Sequence, residues 1–109
     1  MKRYEGWREG HAVMVTVDKR QLNPRLDLRN HSPTGFEWGY SGSGPAQLAL
    51  AILANHCGND QHALIWYQRF KSVVVSELPR NRRWILTATD IDRVLQAIRE
   101  LEIATGGVP

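Results

Sequence analysis

The sequence predicts an α+β domain, a small antiparallel sheet with about three helices packed on one face. Three observations carry this. Residues 12–17, AVMVTV, alternate with period two and are rich in β-branched side chains. Residues 45–56 form a densely apolar run opened by Pro45 and followed by Gly58. Ile91, Val94, Leu95 and Ile98 recur at helical spacing near the end of the chain.

In chain order, Val13, Val15 and Val17 share one face of the first strand, with Met14 and Thr16 on the other. Asn23-Pro24 signals a turn. Leu26 and Leu28 alternate with Asp27 and Arg29, which predicts a second, half-buried strand. Ser32-Pro33-Thr34-Gly35 is a turn, and Phe36, Trp38 and Tyr40 then alternate on one face of a short strand. The first forty residues thus predict an antiparallel meander.

The pattern next switches to helix. Gly44 is expected as N-cap, Pro45 as the first helical residue, and Gln47 as half of a capping box. The helix over 45–56 is apolar on nearly all sides and therefore expected to be buried, with Leu48, Ile52 and Leu53 in the core. Asn59 or Asp60 starts a second helix, whose stripe is Ala63, Tyr67, Phe70, Val74 and Leu78. The run Val73-Val74-Val75 leaves its end open between helix and strand. Pro79 stops the element, and PRNRR, residues 79–83, is expected as an exposed basic loop. Trp84–Thr87 reads as another strand, and Thr89 with Asp92 as the capping box of a last helix. Gly106–Pro109 reads as a frayed tail. Trp7, Trp38, Trp66 and Trp84 form a large aromatic payload for the core of a small chain.

The 109 residues suit one domain, 1–109, large enough to bury a core without staples. No repeat, linker or low-complexity segment is visible. Hydrophobic content of 42% and charged content of 23% are ordinary for a soluble globular protein. Cys57 is the single cysteine, so an intramolecular disulfide is excluded, and a reducing cytoplasm is the expected compartment. The N-terminus, MKRYEGWREG, has no apolar h-region. The longest apolar stretch falls far below the roughly 20 residues that span a bilayer.

The formal net charge is +3, unevenly spread. Residues 1–30 carry seven Lys/Arg against four acids, residues 59–83 five against two, and the last 26 residues two against four. A basic face of this kind attracts phosphate or an acidic partner, unless it is merely a solvated surface. Arg80, Arg82 and Arg83 beside Trp84 are the candidate contact residues, since nucleic-acid binders combine such charge with an aromatic.

Between Asn30 and Asn59 the one formally charged residue is Glu37, amid Gly35, Gly39, Gly42 and Gly44. Glycines at this density mark sharp turns or close approach, hence a packing hinge or a ligand cradle. In the second case a nucleotide or other anion would sit at the N-terminus of the 45–56 helix. Asn30, His31, Glu37, Trp38, Tyr40, Ser43 and Gly44 are the candidate ligand-binding residues. There is no P-loop lysine and no GxGxxG. Glu37 serves either as a base or, by the blander reading, as the partner of an arginine.

Other constellations point away from chemistry. Asp27, His31 and Ser32 lack a nucleophile elbow, and the adjacent histidine and serine suit a turn better than a triad. His56, Cys57 and His62 match no common zinc spacing. Cys57 near a helix C-terminus is disfavoured as a thiolate and reads as a small hydrophobe. No catalytic residue, metal or cofactor is therefore expected, and the chain reads as a non-enzyme.

The stretch NHSPTGFEWGY–GSGPAQLALA, residues 30–51, resembles a family of small uncharacterised proteins of bacteria, phages and mobile elements. Tyr4 and Gly6, the Tyr67–Pro79 segment and the Trp84–Ile91 segment extend the resemblance over most of the chain. It implies context and no activity. Small proteins of this setting are often accessory factors, including inhibitors of host defence such as anti-CRISPR proteins. The expected function is thus stoichiometric binding to a host protein or nucleoprotein complex. A small-ligand protein and a weak nucleic-acid-binding module are the alternatives.

Overall fold

The computed structural model describes residues 2–104. Strands β1 (Arg3–Glu9), β2 (Ala12–Val17) and β3 (Arg20–Gln21) come first, then helices α1 (Ser43–Cys57) and α2 (Asp60–Val73). A single 3₁₀ turn at Val75–Glu77, strand β4 (Trp84–Thr87) and helix α3 (Ala88–Ala104) complete the order. The sheet runs β3-β2-β1-β4, and every neighbouring pair is antiparallel. The fold is therefore α+β, as the sequence predicts.

One of the two inner strands, β1, is not revealed by alternation. β1 pairs with β2 from Tyr4↔Val17 to Glu9↔Ala12, and with β4 from Arg3↔Thr87 to Gly6↔Trp84. Its core-facing positions include Tyr4 and Gly6, while the large apolar Trp7 faces the other side, so the strand carries no hydrophobic stripe. Gly6 has a tertiary reason. A Cβ there would lie 2.3 Å from the Trp84 ring, which rests on the glycine backbone.

The two strands expected at Leu26–Leu28 and Phe36–Tyr40 do not form. Arg25 takes a left-handed conformation (φ 54°), and the Leu28 amide closes a turn by donating to the Arg25 carbonyl at 3.0 Å. Local hydrogen bonding at Arg25 and Asp27 outcompetes a ladder at this point. The 36–40 segment has no sheet partners. Its backbone is tied instead by the Gly39 amide donating to the Val75 carbonyl. Trp38 is fully buried, and its Nε1 donates to the Pro79 carbonyl at 3.0 Å.

Helix α1 is the core of the molecule. Every residue from Gly44 to Ala54 is buried, including Leu48, Ile52 and Leu53 at 0% exposure. It begins two residues earlier than expected, with Gly42 as N-cap, and Gly58 closes it in the left-handed region. Asn59 caps α2 by accepting from the His62 amide, and Ala63, Tyr67 and Phe70 are its buried stripe. The valine run ends in the 3₁₀ turn rather than a strand. For α3 the capping box lies two residues before the expected pair. The Thr87 amide donates to Asp90, and the Asp90 amide donates to the Thr87 hydroxyl. Ile91, Leu95 and Ile98 are buried beneath it.

Of the four tryptophans, Trp38 and Trp84 meet edge to face in the core at 5.5 Å, and Trp66 packs on its margin. Trp7 lies on the outer face of the sheet instead. The tail at 106–109 falls outside the described residues.

Candidate functional site

Gln47 organises the glycine-rich stretch. It does not act as half of a capping box. Its amide is fully buried, and its Oε1 accepts from the His31 and Ser32 amides at 2.8 and 3.2 Å. Its Nε2 donates to the Pro24 and Arg29 carbonyls at 2.6 and 3.0 Å. Both donors and both lone pairs are used, so one α1 side chain fastens the whole 24–32 loop. His31 adds a second tie, with Nε2 at 2.7 Å from the Tyr67 hydroxyl. The Ser32 hydroxyl donates to the Gly35 carbonyl.

These contacts disperse the Asp27, His31 and Ser32 set. Asp27 pairs with Arg25, whose guanidinium also reaches Asp60 at 2.8 Å. The Asp27 carboxyl is held below its ordinary range by the hydrogen bonds from Arg25. His56 lies 2.6 Å from Asp92. The half-buried Cys57 thiol is pushed up by desolvation and by the nearby Asp92 charge. No group of three metal-ligating side chains occurs among the described residues.

Glu37 takes the arginine partner. Arg8 meets it in a two-pronged pair at 2.8 and 3.1 Å while its guanidinium lies 4.5 Å over the Trp38 ring. Arg8 Nε also donates to the Arg80 carbonyl at 2.8 Å. The hydrogen bonds from Arg8 hold the Glu37 carboxyl below its ordinary value. Gly44 packs against the same side chain, where a Cβ would come 2.7 Å from Glu37 Cβ. The space that a side chain at Gly44 would take is thus filled by Glu37.

The seven candidate ligand residues therefore scatter. Asn30 and His31 belong to the fastened loop, Trp38 and Gly44 are interior, and Tyr40 and Ser43 lie toward the surface. Of the seven, Glu37 borders a cleft of about 480 Å³ between the 32–37 loop and strands β2 and β3. Val13, Val15, Leu22 and Phe36 give that cleft apolar walls, and His11, Gln21 and Thr34 stand at it as polar groups. No sequence pattern joins the last three residues, because they lie far apart along the chain.

The three arginines of the 80–83 loop are all exposed. Two are set in place by aromatic rings. Arg83 lies 4.2 Å over Trp7 and donates to Glu5 at 2.6 and 3.0 Å. The Glu5 carboxyl is accordingly lowered, chiefly by the Arg83 hydrogen bonds. Arg80 lies 5.1 Å over Tyr40, with its stem against Gly39, which has φ 86°. A Cβ on Gly39 would collide with that stem. Arg82, between them, makes no ion pair among the described residues. The loop thus presents two ordered guanidinium groups flanking a free one. Trp7 and Tyr40 are the supports that sequence reasoning missed, since neither stands near the arginines in the chain.

No curated protein and no solved structure matches this chain. A family model does match, over residues 4–97. That span holds β1 from Tyr4 on, the glycine-rich stretch with Gln47, the arginine loop and most of α3, so this chain belongs to DUF6166, a family of unknown function.

Proposed function

We propose that this is a non-enzymatic binding protein whose contact surface is the Arg80–Arg83 loop, and that its partner presents carboxylates on a protein surface. The observation that carries this reading is the stacking of Arg80 on Tyr40 and Arg83 on Trp7. Stacking holds a guanidinium fork in place before a partner arrives, which lowers the ordering cost of binding. Arginine beside tyrosine and tryptophan is also the composition of interface hot spots. Nucleic acid is the less favoured partner. The Trp7 and Tyr40 faces that a base would stack on already carry arginines, and a net charge of +3 is modest for a DNA-directed protein.

The mobile-element setting implied by the resemblance makes a host defence nucleoprotein the partner class, with the contact made to its protein component, in the manner of an anti-CRISPR inhibitor. A pull-down from host lysate at low salt tests this. Retention of a protein that is lost with Arg80→Glu/Arg82→Glu supports the proposal. A gel shift with duplex or single-stranded DNA that falls steeply with salt, without any retained protein, overturns it in favour of direct nucleic-acid binding.

A second reading places a small ligand in the cleft between the 32–37 loop and the sheet. His11, Gln21 and Thr34 make no side-chain hydrogen bond among the described residues, and the apolar walls and volume suit a small organic molecule. A thermal-shift screen with nucleotides, cyclic nucleotides and phosphate tests it. A ligand at 100 times its Kd adds about 2.7 kcal/mol of stability. A shift that Thr34→Trp abolishes supports this reading, and no shift across the panel retires it.

A further inference from the structure

Helix α3 carries a second surface, built from residues other than those of the arginine loop. Val73 of α2 with Val94, Ala97, Ile98 and Leu101 of α3 line a groove of about 290 Å³, rimmed by Arg93. Val73 is 55% and Leu101 63% exposed, so this is a sizeable apolar strip at the surface. Glu102 is ion-paired with Arg69 of α2, which fastens the C-terminal part of α3 beside the groove.

We infer that the protein pairs with a second copy of itself through this groove, the two α3 helices lying antiparallel about a two-fold axis at Ala97. The argument rests on how the strip is ordered. At about 100° and 1.5 Å per residue, Val94 and Leu101 lie on one flank of Ala97, about 4.5 Å before it and 6 Å after it. Arg93 and Glu100 lie on the other flank, about 6 Å before and 4.5 Å after. An antiparallel two-fold keeps each flank facing its own kind and reverses the direction along the helix. Val94 then meets Leu101 of the second copy, and Arg93 meets Glu100 of the second copy, each within about 1.5 Å of level.

The strip is therefore complementary to itself in both apolar contact and charge. The small side chain at Ala97 lets the helix axes approach at the crossing point. On the apolar edge the second copy's Leu101 seats against Val94 and its Val94 against Leu101, and the two Arg93–Glu100 pairs close the opposite edge. Glu100 already accepts from Gln96 at 3.1 Å, which leaves its second oxygen for the arginine. On its own helix Arg93 helps to lower the Asp90 carboxyl by charge alone, so its donors are not drawn away from the facing copy by that residue.

Sedimentation of the intact protein tests the pairing, with unfolding curves run on each variant. The expected result is a dimer that Leu101→Asp converts to a monomer without loss of fold, since that side chain lies mostly outside the core. Arg93→Glu and Glu100→Arg each weaken the dimer about tenfold, and the Arg93→Glu/Glu100→Arg double variant restores it to within about twofold. Ala97→Cys forms a covalent dimer on mild oxidation, because side chains at the axis fall within disulfide reach, whereas the parent with Cys57 alone does not. A monomer at every concentration reached, a dimer indifferent to Leu101→Asp, or a double variant as weak as its two singles combined would each overturn the inference.

Discussion

The loop fastened by Gln47 and the loop of Arg80–Arg83 use polar groups in opposite ways. Around Gln47 each hydrogen-bonding position of a fully buried amide is matched, and the partners are backbone groups of Pro24, Arg29, His31 and Ser32. Around the arginines the polar groups are exposed and two of them are held by ring faces, with Arg82 uncommitted. A saturated, buried network specifies a conformation. An exposed set of donors held in place by rings lowers the ordering cost of any contact it makes. On the function proposed above, the glycine-rich stretch serves folding and the arginine loop recognition, although the sequence makes the former look the more distinctive.

The hardest test of this contrast is Gln47→Leu. It leaves two amides and two carbonyls to find water, so we expect a loss of about 3–5 kcal/mol in urea unfolding. A loss under about 1 kcal/mol would show that the 24–32 loop holds its shape without the glutamine. Next in size is Gly44→Ala. Its Cβ must displace Glu37, with an expected cost of about 1–3 kcal/mol. If the variant is as stable as the parent, the start of α1 has room that the packing denies.

A smaller, pH-dependent effect belongs to Glu37. Its folded carboxyl titrates below its unfolded value because of Arg8. The contribution of the pair is therefore complete above the unfolded value, near 4.5, and is lost as pH falls through the folded one. Glu37→Gln should remove that part of the acid slope, about 0.5–1 kcal/mol, since solvent screens a pair whose side chains are 26% and 33% exposed. Parallel pH–stability curves for parent and variant would count against the pairing.

The smallest stability change should come from Arg82→Glu, within about 0.5 kcal/mol, because that side chain is exposed and makes no ion pair among the described residues. Its expected effect is on partner retention alone. A variant that unfolds early would move Arg82 to the folding side of the comparison.

Much of the architecture was open to reading from local pattern. The period of AVMVTV, the apolar run closed by Gly58 and the stripe of Ile91, Leu95 and Ile98 each reflect neighbours within one element, so sequence spacing reports them. Leu26–Leu28 shows the limit. Its alternation is real, yet the left-handed Arg25 and its carboxylate partners turn the chain before a ladder can form. β1 shows the converse, a strand without a stripe.

The sequence by itself determined where helices α1, α2 and α3 and strands β2 and β4 lie, because helix and strand periods and their caps are written in consecutive residues. Tertiary structure alone decided that Trp84 lies on Gly6, that Gln47 reaches His31, that Glu37 belongs to Arg8, and that Arg83 rests on Trp7. The physical reason is distance along the chain. Hydrogen bonds and ring stacking depend on where two separate elements come to rest, and that is settled only when the sheet and α1 pack together.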